Sequence, residues 1–322
     1  MVKVAVAEGD GIGHEVVPVA RAILTAVRPD LEFFDVEVGY GRWERKGEAI
    51  TEAEIAALKS ADAILFGAIT TPPDPNYRSV IVRIRKELDL YANVRPIRSP
   101  AADMVIVREN TEGLYAGIEE VGPDRATTLR VITRKGTERV ARFACGLAKQ
   151  RRHLTIGHKA NVLKADTLFR DVCLQVAAEA GVPCQERFID ALCLDVLRKP
   201  RDYDVIVTEN MFGDILSDVA AYLAGGLGML PSANIGDRHA LFEPVHGSAP
   251  SHAGKGTANP VAAIRSAAML LEHLGDRAGA ARIDAAVERA FAAGVKTRDL
   301  GGTAGTREMG DAVTAALKGY VG

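Results

Sequence analysis

The sequence has no excess of charge of one sign, no long apolar run and no closely spaced pair of cysteines. The formal net charge of −2 at pH 7 argues against a general attraction for nucleic acid or for an anionic membrane. No apolar stretch is long enough to span a bilayer, and the first residues lack the pattern of a secretory signal. We therefore expect a cytoplasmic protein with no nucleic-acid or membrane partner.

The cysteines also exclude two classes of small scaffold. There are four of them, and none forms a C-x-x-C motif, which argues against a zinc site and against a disulfide framework. A chain of 322 residues can bury a large core without such crosslinks. We interpret Cys145, Cys173, Cys184 and Cys193 as packing residues.

Short β-rich runs alternate with helical patterns along the chain. Residues 2–7, 63–68 and 104–110 are typical of buried strands, and a helical pattern follows the first of them. This alternation predicts an α/β fold with parallel or mixed sheets.

Clusters of proline and glycine divide this pattern into two predicted domains. We place the domain crossings near residues 98 and 232, within two of these clusters. The predicted large domain comprises residues 1–98 and 232–322, and the smaller central domain comprises residues 99–231.

A glycine-rich segment, GDGIG at residues 9–13, lies between a predicted strand and a predicted helix. Glu32 lies near the spacing at which Rossmann folds carry an acidic residue for ribose. However, the third glycine comes one residue early for G-x-G-x-x-G, and Asp10 lies where a pyrophosphate would approach. We therefore interpret the segment as a tight turn and reject a Rossmann fold.

The segment ENMFGDILSD, residues 209–218, places Asp214 and Asp218 four residues apart on one face of a predicted helix. Oxygen-only ligands suit Mg²⁺ or Mn²⁺. Spacing alone also fits a solvated acidic helix start. The apolar neighbours Phe212 and Leu216 favour a metal site, because a carboxylate near buried surface needs a partner.

Three arginines, Arg85, Arg95 and Arg108, are candidates for binding several carboxylates, because a guanidinium pairs with a carboxylate through two hydrogen bonds. Together with the aspartates they predict a pocket for a polycarboxylate bound through a metal. Tyr115 could supply a proton, and Lys159 follows a predicted strand as a buried base would. From the residues alone, both of these roles stay open.

A second glycine-rich loop, residues 243–260, contains many small residues and the imidazole of His246. Loops of this composition allow a nucleotide to approach the backbone closely. The same composition also fits a plain surface connection, so the loop alone does not decide between them.

Several long motifs occur in order and nearly end to end: GDGIG, LYANVRP, VRENTEGLY, HKANV, ENMFGDILSD, GGLGMLPSANIGD and EPVHGSAP. With them the chain resembles the β-decarboxylating dehydrogenases, which include isocitrate, homoisocitrate, 3-isopropylmalate and tartrate/D-malate dehydrogenases. The resemblance implies a non-Rossmann, isopropylmalate-dehydrogenase-like α/β fold whose two domains share a cleft. It also implies an active site completed within a homodimer or a higher homo-oligomer.

The resemblance assigns roles by motif. Asp214 and Asp218 bind Mg²⁺ or Mn²⁺, while Asp190 and Lys159 act across the dimer interface. The implied nicotinamide-dinucleotide site comprises Thr70, Thr71, Glu243, His246, Gly247, Ser248, Ala249, Ser251, His252 and Asn259. The three arginines bind substrate carboxylates, unprotonated Lys159 accepts the hydroxyl proton during hydride transfer, and Tyr115 protonates the carbon after CO₂ leaves.

Substrate choice in such enzymes depends on the segment before Arg85, which contains Ser79, Ile81 and Val82. Ile81 replaces an asparagine of bacterial isocitrate enzymes, which argues against isocitrate. Ile81 and Val82 could contact the isopropyl group of 3-isopropylmalate, whereas Ser79 followed by aliphatic residues resembles homoisocitrate enzymes. We expect homoisocitrate, with 3-isopropylmalate as the alternative and isocitrate or D-malate next.

The cofactor choice stays open between NAD and NADP. Members that use NAD carry an aspartate directly after HGSAP, but this chain has Ser251 there, followed by His252. Ser251 would not repel a 2′-phosphate, and His252 or Lys255 could attract one.

Two other classes fit the sequence less well. A non-catalytic regulatory subunit would lack part of the metal or proton-transfer set, and none of that set is missing here. An unrelated metal-dependent lyase or hydrolase would need no dinucleotide loop.

Overall fold

The computed structural model describes residues 1–74 and 76–319. The predicted α/β class is confirmed. Among the described residues, no helix is both long and apolar enough to cross a membrane.

The strands are β1 (Lys3–Gly9), β2 (Glu32–Asp35), β3 (Ala63–Ala68), β4 (Ala92–Ser99), β5 (Ala102–Glu109), β6 (Glu119–Val121), β7 (Ala126–Thr128), β8 (Leu154–His158), β9 (Cys184–Phe188), β10 (Val205–Thr208), β11 (Pro231–Ile235) and β12 (Ala240–Pro244).

The helices are α1 (Gly13–Val27), α2 (Tyr40–Lys46), α3 (Glu52–Lys59), α4 (Val80–Glu87), α5 (Arg134–Ala148), α6 (Lys164–Ala180), α7 (Ile189–Arg198), α8 (Asn210–Ala221), α9 (Val261–His273), α10 (Arg277–Ala292) and α11 (Thr306–Lys318).

The chain forms two compact units. Unit 1 comprises Met1–Leu88, Gly225–Ala233 and the chain from Asp237 onwards, and unit 2 comprises Asp89–Ala224 and Asn234–Gly236. The sequence placed the crossings near residues 98 and 232, whereas the chain changes unit at Asp89 and at Gly225, and again on either side of Asn234–Gly236. The proline-containing cluster at 96–100 comprises the second half of β4 and the residue after it, and β4 pairs antiparallel with β5 within unit 2.

The strands of unit 1 follow the order β2–β1–β3–β12–β11, although Asn234 and Ile235 at the end of β11 belong to unit 2. Strand β1 pairs parallel with both β2 and β3, and β12 pairs parallel with β3. Every residue of β3 is buried, as expected of a parallel strand that is covered on both faces. Helices α1 and α9 pack together and bury apolar faces that include Ile23 and Leu270.

The sheet of unit 2 has the order β4–β5–β10–β8–β9. Only the β4–β5 pair is antiparallel, and β5, β10, β8 and β9 follow in parallel. The carboxyl ends of the parallel strands β5, β10 and β8 therefore lie at one edge of the sheet. Arg108, Glu209 and Lys159 lie at or directly after these ends.

The glycine-rich turn after β1 is held by the carboxylate of Asp10. This carboxylate accepts hydrogen bonds from the backbone amides of Tyr40 at 2.8 Å, Gly41 at 2.9 Å and Thr70 at 2.9 Å. A pyrophosphate would meet a negative charge here, and the amide donors of Tyr40, Gly41 and Thr70 are already in use. The interpretation of GDGIG as a structural turn is therefore supported by the geometry.

All four cysteines are free thiols. Cys145 and Cys173 are buried and Cys193 is partly buried, as expected for packing residues. The interpretation is wrong for Cys184, which is exposed because β9 lies at the edge of the unit 2 sheet.

Helix α8 lies close to β5 because Gly213 has no side chain. A Cβ at this position would lie 2.6 Å from Thr208 Oγ1 and 2.7 Å from Arg108 Cβ. By contrast, Gly146 in α5 is exposed and has no neighbour within 4 Å of such a Cβ.

We predict that Gly213→Ala lowers the free energy of unfolding by about 1–3 kcal/mol, because the methyl group would push α8 away from β5. The matched variant Gly146→Ala should raise it by about 0.5–1 kcal/mol, because it removes only backbone freedom from a helix. Urea unfolding followed by far-ultraviolet circular dichroism measures both. Equal effects of the two substitutions would contradict the close approach at Gly213.

Candidate active site

Helix α8 presents two carboxylates on one face, Asp214 in its second turn and Asp218 in its third. The Glu209 side chain caps the helix by accepting a hydrogen bond from the amide of Phe212 at 2.7 Å. Leu216 is fully buried on the inner face, while Asp214 is partly exposed and Asp218 is exposed. The predicted helix and the i, i+4 placement of Asp214 and Asp218 are therefore present.

Arg108 is the most deeply buried cation near these carboxylates, with 1% of the residue exposed. Its Nη1 atom pairs with Asp214 Oδ1. Its Nε and Nη2 atoms both donate to Asn210 Oδ1, at 2.9 Å and 2.7 Å. The guanidinium is therefore fixed in one orientation by two residues of α8.

Arg95, on the neighbouring strand β4, approaches the same helix. Its Nη2 atom lies 3.3 Å from Asp214 Oδ1, and its Nη1 atom lies 3.8 Å from Asp218 Oδ1. Ser217 Oγ accepts from Nη1 at 2.6 Å, and Asn93 Oδ1 accepts from Nε at 2.8 Å. Two buried guanidinium groups therefore face the two carboxylates.

Tyr115 completes this cluster. It lies in a short 3₁₀ turn, Leu114–Ala116, and its hydroxyl donates to Asp214 Oδ2 at 2.7 Å. The guanidinium carbon of Arg108 lies 5.1 Å from the centre of its ring. One carboxylate thus connects both arginines and the phenol. We call Arg95, Arg108, Tyr115, Asp214 and Asp218 the unit 2 cluster.

The pKa of Asp218 is raised above its ordinary value. Loss of surrounding water is the largest cause, and the negative charge of Asp214 adds to it, whereas Arg95 opposes the rise. The Asp218 side chain is still 57% exposed. A cation placed beside both carboxylates would relieve their repulsion, and the exposed side of Asp218 leaves access for it.

Lys159 and Asp190 form a separate pair. Lys159 Nζ lies 2.7 Å from Asp190 Oδ2, and this contact is the main reason why the pKa of Asp190 is lowered. Within the described part of the chain, no hydrogen bond or ion pair joins either residue to the unit 2 cluster. The structure thus brings Tyr115 together with the predicted metal aspartates of α8, but not with Lys159 or Asp190.

Arg85 lies in unit 1, on α4. Its Nη2 atom pairs with Glu243 Oε1 at 3.1 Å, and both residues are buried. Ile81 and Val82 lie four and three residues earlier on the same helix, so they flank Arg85 on its surface, and both are partly exposed. Ser79 is the residue before the helix begins and is also partly exposed.

The predicted cofactor residues before and after β12 also lie in unit 1. Thr70 Oγ1 and Ser248 Oγ are hydrogen-bonded at 2.6 Å, and Ser248 O accepts from the amide of Ile12 at 2.9 Å. These bonds join the loop from Glu243 to Asn259 to the turn held by Asp10. Among the other predicted residues, Thr71, Gly247, Ser251 and His252 are exposed, and Ala249 has a φ of +40°.

Two further polar side chains of this loop are His246, which is partly buried, and Asn259, which is buried. Burial lowers the pKa of His246, and among described residues its Nε2 atom has no hydrogen-bond partner although it is buried. Asn259 Nδ2 donates to Asp299 Oδ2 at 3.0 Å, while its Oδ1 accepts from the amide of Val261 at 3.0 Å. His246 therefore retains a polar atom that a ligand could satisfy.

Sequence reasoning missed the side chains that orient the two arginines. Asn210 lies four residues before Asp214, so the helical period could have placed it on the same face. Asn93 lies two residues before Arg95 on β4, so strand alternation could have placed it on the same face, whereas the contact of Ser217 with Arg95 depends on how α8 packs against β4.

The donor set for a metal is incomplete in a single chain. Across residues 1–74 and 76–319, no three of the His, Cys, Asp and Glu side chains are grouped so that they could hold an ion. Asp214 and Asp218 are thus two oxygen donors of a site that needs further ligands.

The chain is similar to dehydrogenases of one family along nearly its whole length. The family described as isocitrate/isopropylmalate dehydrogenase matches residues 3–313. The chain is 47% identical to the isocitrate/homoisocitrate dehydrogenase of Thermus thermophilus, with 98% of each protein covered. It is 46% identical to the 3-isopropylmalate/3-methylmalate dehydrogenase of Methanocaldococcus jannaschii, with 99% of each covered.

The fold has solved relatives as well. The crystal structure of isocitrate dehydrogenase from Methylococcus capsulatus matches with a TM-score of 0.95 at 40% identity, covering 99% of this chain and 100% of that one. The isopropylmalate-dehydrogenase-like fold that the motifs implied is therefore confirmed. The chain belongs to the isocitrate/isopropylmalate dehydrogenase family of decarboxylating dehydrogenases.

Proposed function

We propose that this protein catalyses the oxidative decarboxylation of homoisocitrate to 2-oxoadipate, with Mg²⁺ or Mn²⁺ and with NAD or NADP as hydride acceptor. The observation that carries the proposal is the unit 2 cluster. In it, two buried guanidinium groups and a phenol contact Asp214 on the helix that also bears Asp218. Guanidinium groups bind the carboxylates of a polyacid, carboxylates bind a divalent cation, and a phenol can donate a proton.

The residues fit a hard divalent cation. Asp214 and Asp218 offer carboxylate oxygens from one helix face, and Asp190 of a second subunit would supply a third, as the family resemblance implies. Asp190 is 66% exposed through its side chain, so it is available to another chain. When bound, the cation supplies Lewis acidity that lowers the pKa of the substrate hydroxyl and stabilises developing negative charge.

Side chains of the protein bind the substrate and transfer its protons. Arg95 and Arg108 bind carboxylates of the substrate, and Arg85 binds another. Lys159, in its unprotonated form, accepts the proton of the 2-hydroxyl as hydride leaves the adjacent carbon for the nicotinamide. After the β-carboxylate leaves as CO₂, Tyr115 donates its proton to the carbon that carried it.

The position of Tyr115 favours this last role. Its hydroxyl is held at 2.7 Å from a carboxylate oxygen, and its ring lies beside Arg108, whose positive charge stabilises the phenolate left by proton donation. Asp214 therefore orients the phenol hydroxyl, and Arg108 stabilises the phenolate that proton donation leaves.

Helix α4 supports homoisocitrate as the substrate. Ile81 and Val82 flank Arg85, and each methyl or methylene group that they remove from water contributes about 0.8 kcal/mol. Ser79 adds a hydroxyl donor just before the helix, which suits the terminal carboxylate of a longer arm. Relatives carry both isocitrate/homoisocitrate and 3-isopropylmalate names, and these names do not decide between the two acids. The choice of homoisocitrate therefore rests on Ser79, Ile81 and Val82.

The alternative substrate is 3-isopropylmalate. Its isopropyl group needs only apolar contact, which Ile81 and Val82 supply without any help from Ser79. Isocitrate and D-malate rank next, because neither offers an apolar arm to these two side chains.

The cofactor would bind in unit 1, at the loop from Glu243 to Asn259. His246 has a buried nitrogen without a described partner, and Ser248 is tied to Thr70. Ser251, His252 and Lys255 are exposed and none is acidic, so a 2′-phosphate meets no repulsion there. NAD and NADP both remain candidates.

We also propose that the active form is a homodimer or a higher homo-oligomer. Unit 2 exposes large apolar side chains on and beside α7 and α8, and they are Phe188, Leu194, Leu197, Ile215 and Tyr222. These two helices also carry Asp190, Asp214 and Asp218. A second copy of the chain could cover the apolar side chains and bring Lys159 and Asp190 to the unit 2 cluster.

The first prediction from the proposed function concerns the substrate. With Mn²⁺ present, reduced-cofactor formation should give the highest kcat/KM with homoisocitrate, compared with 3-isopropylmalate, isocitrate and D-malate, using both NAD and NADP. Addition of a chelator should abolish turnover. A preference for 3-isopropylmalate would favour the alternative, and no turnover with any of the four acids would overturn the proposed function.

The variant Ser79→Ala tests whether Ser79 distinguishes homoisocitrate from 3-isopropylmalate. It should lower kcat/KM for homoisocitrate by about 10-fold, since a hydrogen bond to a charged group is lost. The same variant should leave 3-isopropylmalate nearly unaffected. An equal loss with both acids would argue against contact between Ser79 and the terminal carboxylate.

The second prediction concerns Tyr115. Tyr115→Phe removes only the hydroxyl, and loss of a general acid lowers the rate by about 10²–10⁴-fold. Protonation after CO₂ loss should slow most, which single-turnover kinetics with added 2-keto acid can measure. A variant that lost hydride transfer but still decarboxylated and protonated added keto acid normally would contradict the assignment.

The third prediction concerns assembly. Leu194→Arg should convert the oligomer into monomers and abolish turnover, because it places a charge within the proposed apolar interface. Light scattering coupled to size-exclusion chromatography measures the mass. Ala281→Arg, on an exposed position of α10 in unit 1, is the control and should leave the mass unchanged. A wild-type chain that turns over as a monomer would exclude the interface.

A further inference from the structure

A buried arginine outside the predicted site lies between two buried carboxylates of unit 2. Arg130 Nη1 lies 2.5 Å from Asp166 Oδ1, and Arg130 Nη2 lies 3.4 Å from Glu209 Oε2. Asp166 and Glu209 are 0% and 1% exposed. The Arg130 side chain is 13% exposed, and its three guanidinium nitrogens are buried. Without Arg130, two buried negative charges would face each other.

The first carboxylate holds the segment that bears Lys159. Asp166 Oδ2 accepts a hydrogen bond from the backbone amide of Lys159 at 2.6 Å. The amide of Asp166 in turn donates to Leu163 O at 3.0 Å, which closes the turn between β8 and α6. The position of the Lys159 backbone thus depends on the orientation of the Asp166 carboxylate.

The second carboxylate holds the start of the helix that bears Asp214 and Asp218. Glu209 Oε1 accepts from the amide of Phe212, and the guanidinium carbon of Arg130 lies 5.0 Å from the centre of the Phe212 ring. Burial raises the pKa of Glu209, and Arg130 opposes that rise. Arg130 therefore favours the charged form that caps α8.

The backbone beside Arg130 reaches the turn that bears Tyr115. The amide of Gly113 donates to Val131 O at 2.8 Å, and the amide of Val131 donates to Gly113 O at 3.2 Å. Tyr115 lies two residues after Gly113. Three segments that carry proposed catalytic or metal-binding groups therefore meet at one short stretch of chain.

We propose that Arg130 is a positioning residue that fixes the Lys159 segment and the start of α8 relative to each other through Asp166 and Glu209. The inference rests on the proposed function, because it concerns the residues that this function uses. Under the proposed assembly, Lys159 serves the site of the partner subunit while α8 serves its own site. Arg130 then sets the geometry of both sites of the dimer.

The test uses the full-length protein with Arg130→Met, which keeps a long side chain but removes the charge. Loss of groups that orient metal ligands typically costs about 10–100-fold in affinity or activity, and we expect losses in that range for both Mn²⁺ affinity and kcat. The KM for the 2-hydroxy acid should change little, since Arg130 does not contact it. Binding of Mn²⁺ alone is measured from the electron paramagnetic resonance signal of the free ion.

Two further variants make the test specific. Arg130→Lys should lose about 3–10-fold, because one ammonium group keeps the charge but cannot pair with both carboxylates as the guanidinium does. Arg134→Met is the matched control, since the Arg134 side chain is 57% exposed and pairs with Glu138 on the helix surface. It should retain wild-type Mn²⁺ affinity and kcat.

A purely structural role would give a different result. If Arg130→Met lowers the melting temperature but keeps wild-type Mn²⁺ affinity and kcat, the proposal is overturned. If Arg130→Met does not fold, wild-type values for Arg130→Lys overturn it instead. Failure of the wild-type protein to turn over any of the four acids would refute the proposed function, whereas the Mn²⁺ measurement tests Arg130 independently of turnover.

Discussion

The ion pair between Arg108 and Asp214 is the contact on which the arrangement of unit 2 depends. Arg108 is almost completely buried on β5, and a buried guanidinium is tolerated only with a well-placed carboxylate. The pair requires α8 to lie directly on β5, and Gly213 permits this approach. Once α8 is in place, Asn210 orients Arg108, Ser217 orients Arg95, and Asp214 accepts the hydroxyl of Tyr115.

These internal ion pairs would compete with the binding of a metal and of a polyacid. In the chain alone, the charges of Arg95 and Arg108 are balanced by those of Asp214 and Asp218. Under the proposed function, a cation would attract Asp214 while the substrate carboxylates attract the two arginines. Each ligand releases a partner that the other needs, so the free energies of binding metal and polyacid are coupled, and the coupling is reciprocal. Tight internal pairing therefore keeps the buried charges satisfied until both ligands arrive.

The sequence predicted the features that have a local physical signal. Alternation of apolar runs predicted the α/β class, helical spacing placed Asp214 and Asp218 on one face, and the charge of Asp10 argued against a phosphate-binding turn. The domain crossing near residue 98 differs from the structure because Pro96 lies in β4 and pairs with Val105 on the antiparallel partner strand. A proline in a strand has the same local signal as a proline in a linker.

The contacts of Arg130 could not be predicted in this way. Arg130, Asp166 and Glu209 are far apart in sequence, and none of them belongs to a periodic pattern that would indicate burial. Their proximity follows from the order β5–β10–β8 in the sheet, which brings the segments after β8 and β10 together. Only the fold reveals that their charges are buried, and burial is what makes each of them depend on the others.

The separation of Lys159 from the unit 2 cluster bears on assembly in a similar way. Lys159 pairs with Asp190 at the start of α7, whereas Tyr115 and Asp214 pair at the start of α8. A base that accepts the hydroxyl proton and an acid that protonates the neighbouring carbon must act on one substrate molecule. Under the proposed roles, the base and the acid make no described contact with each other in a single chain, and a second copy of the chain can supply the missing group to each site. The exposed apolar side chains of α7 and α8 provide a physical reason for such copies to associate, because their burial would stabilise the same assembly that completes the chemistry.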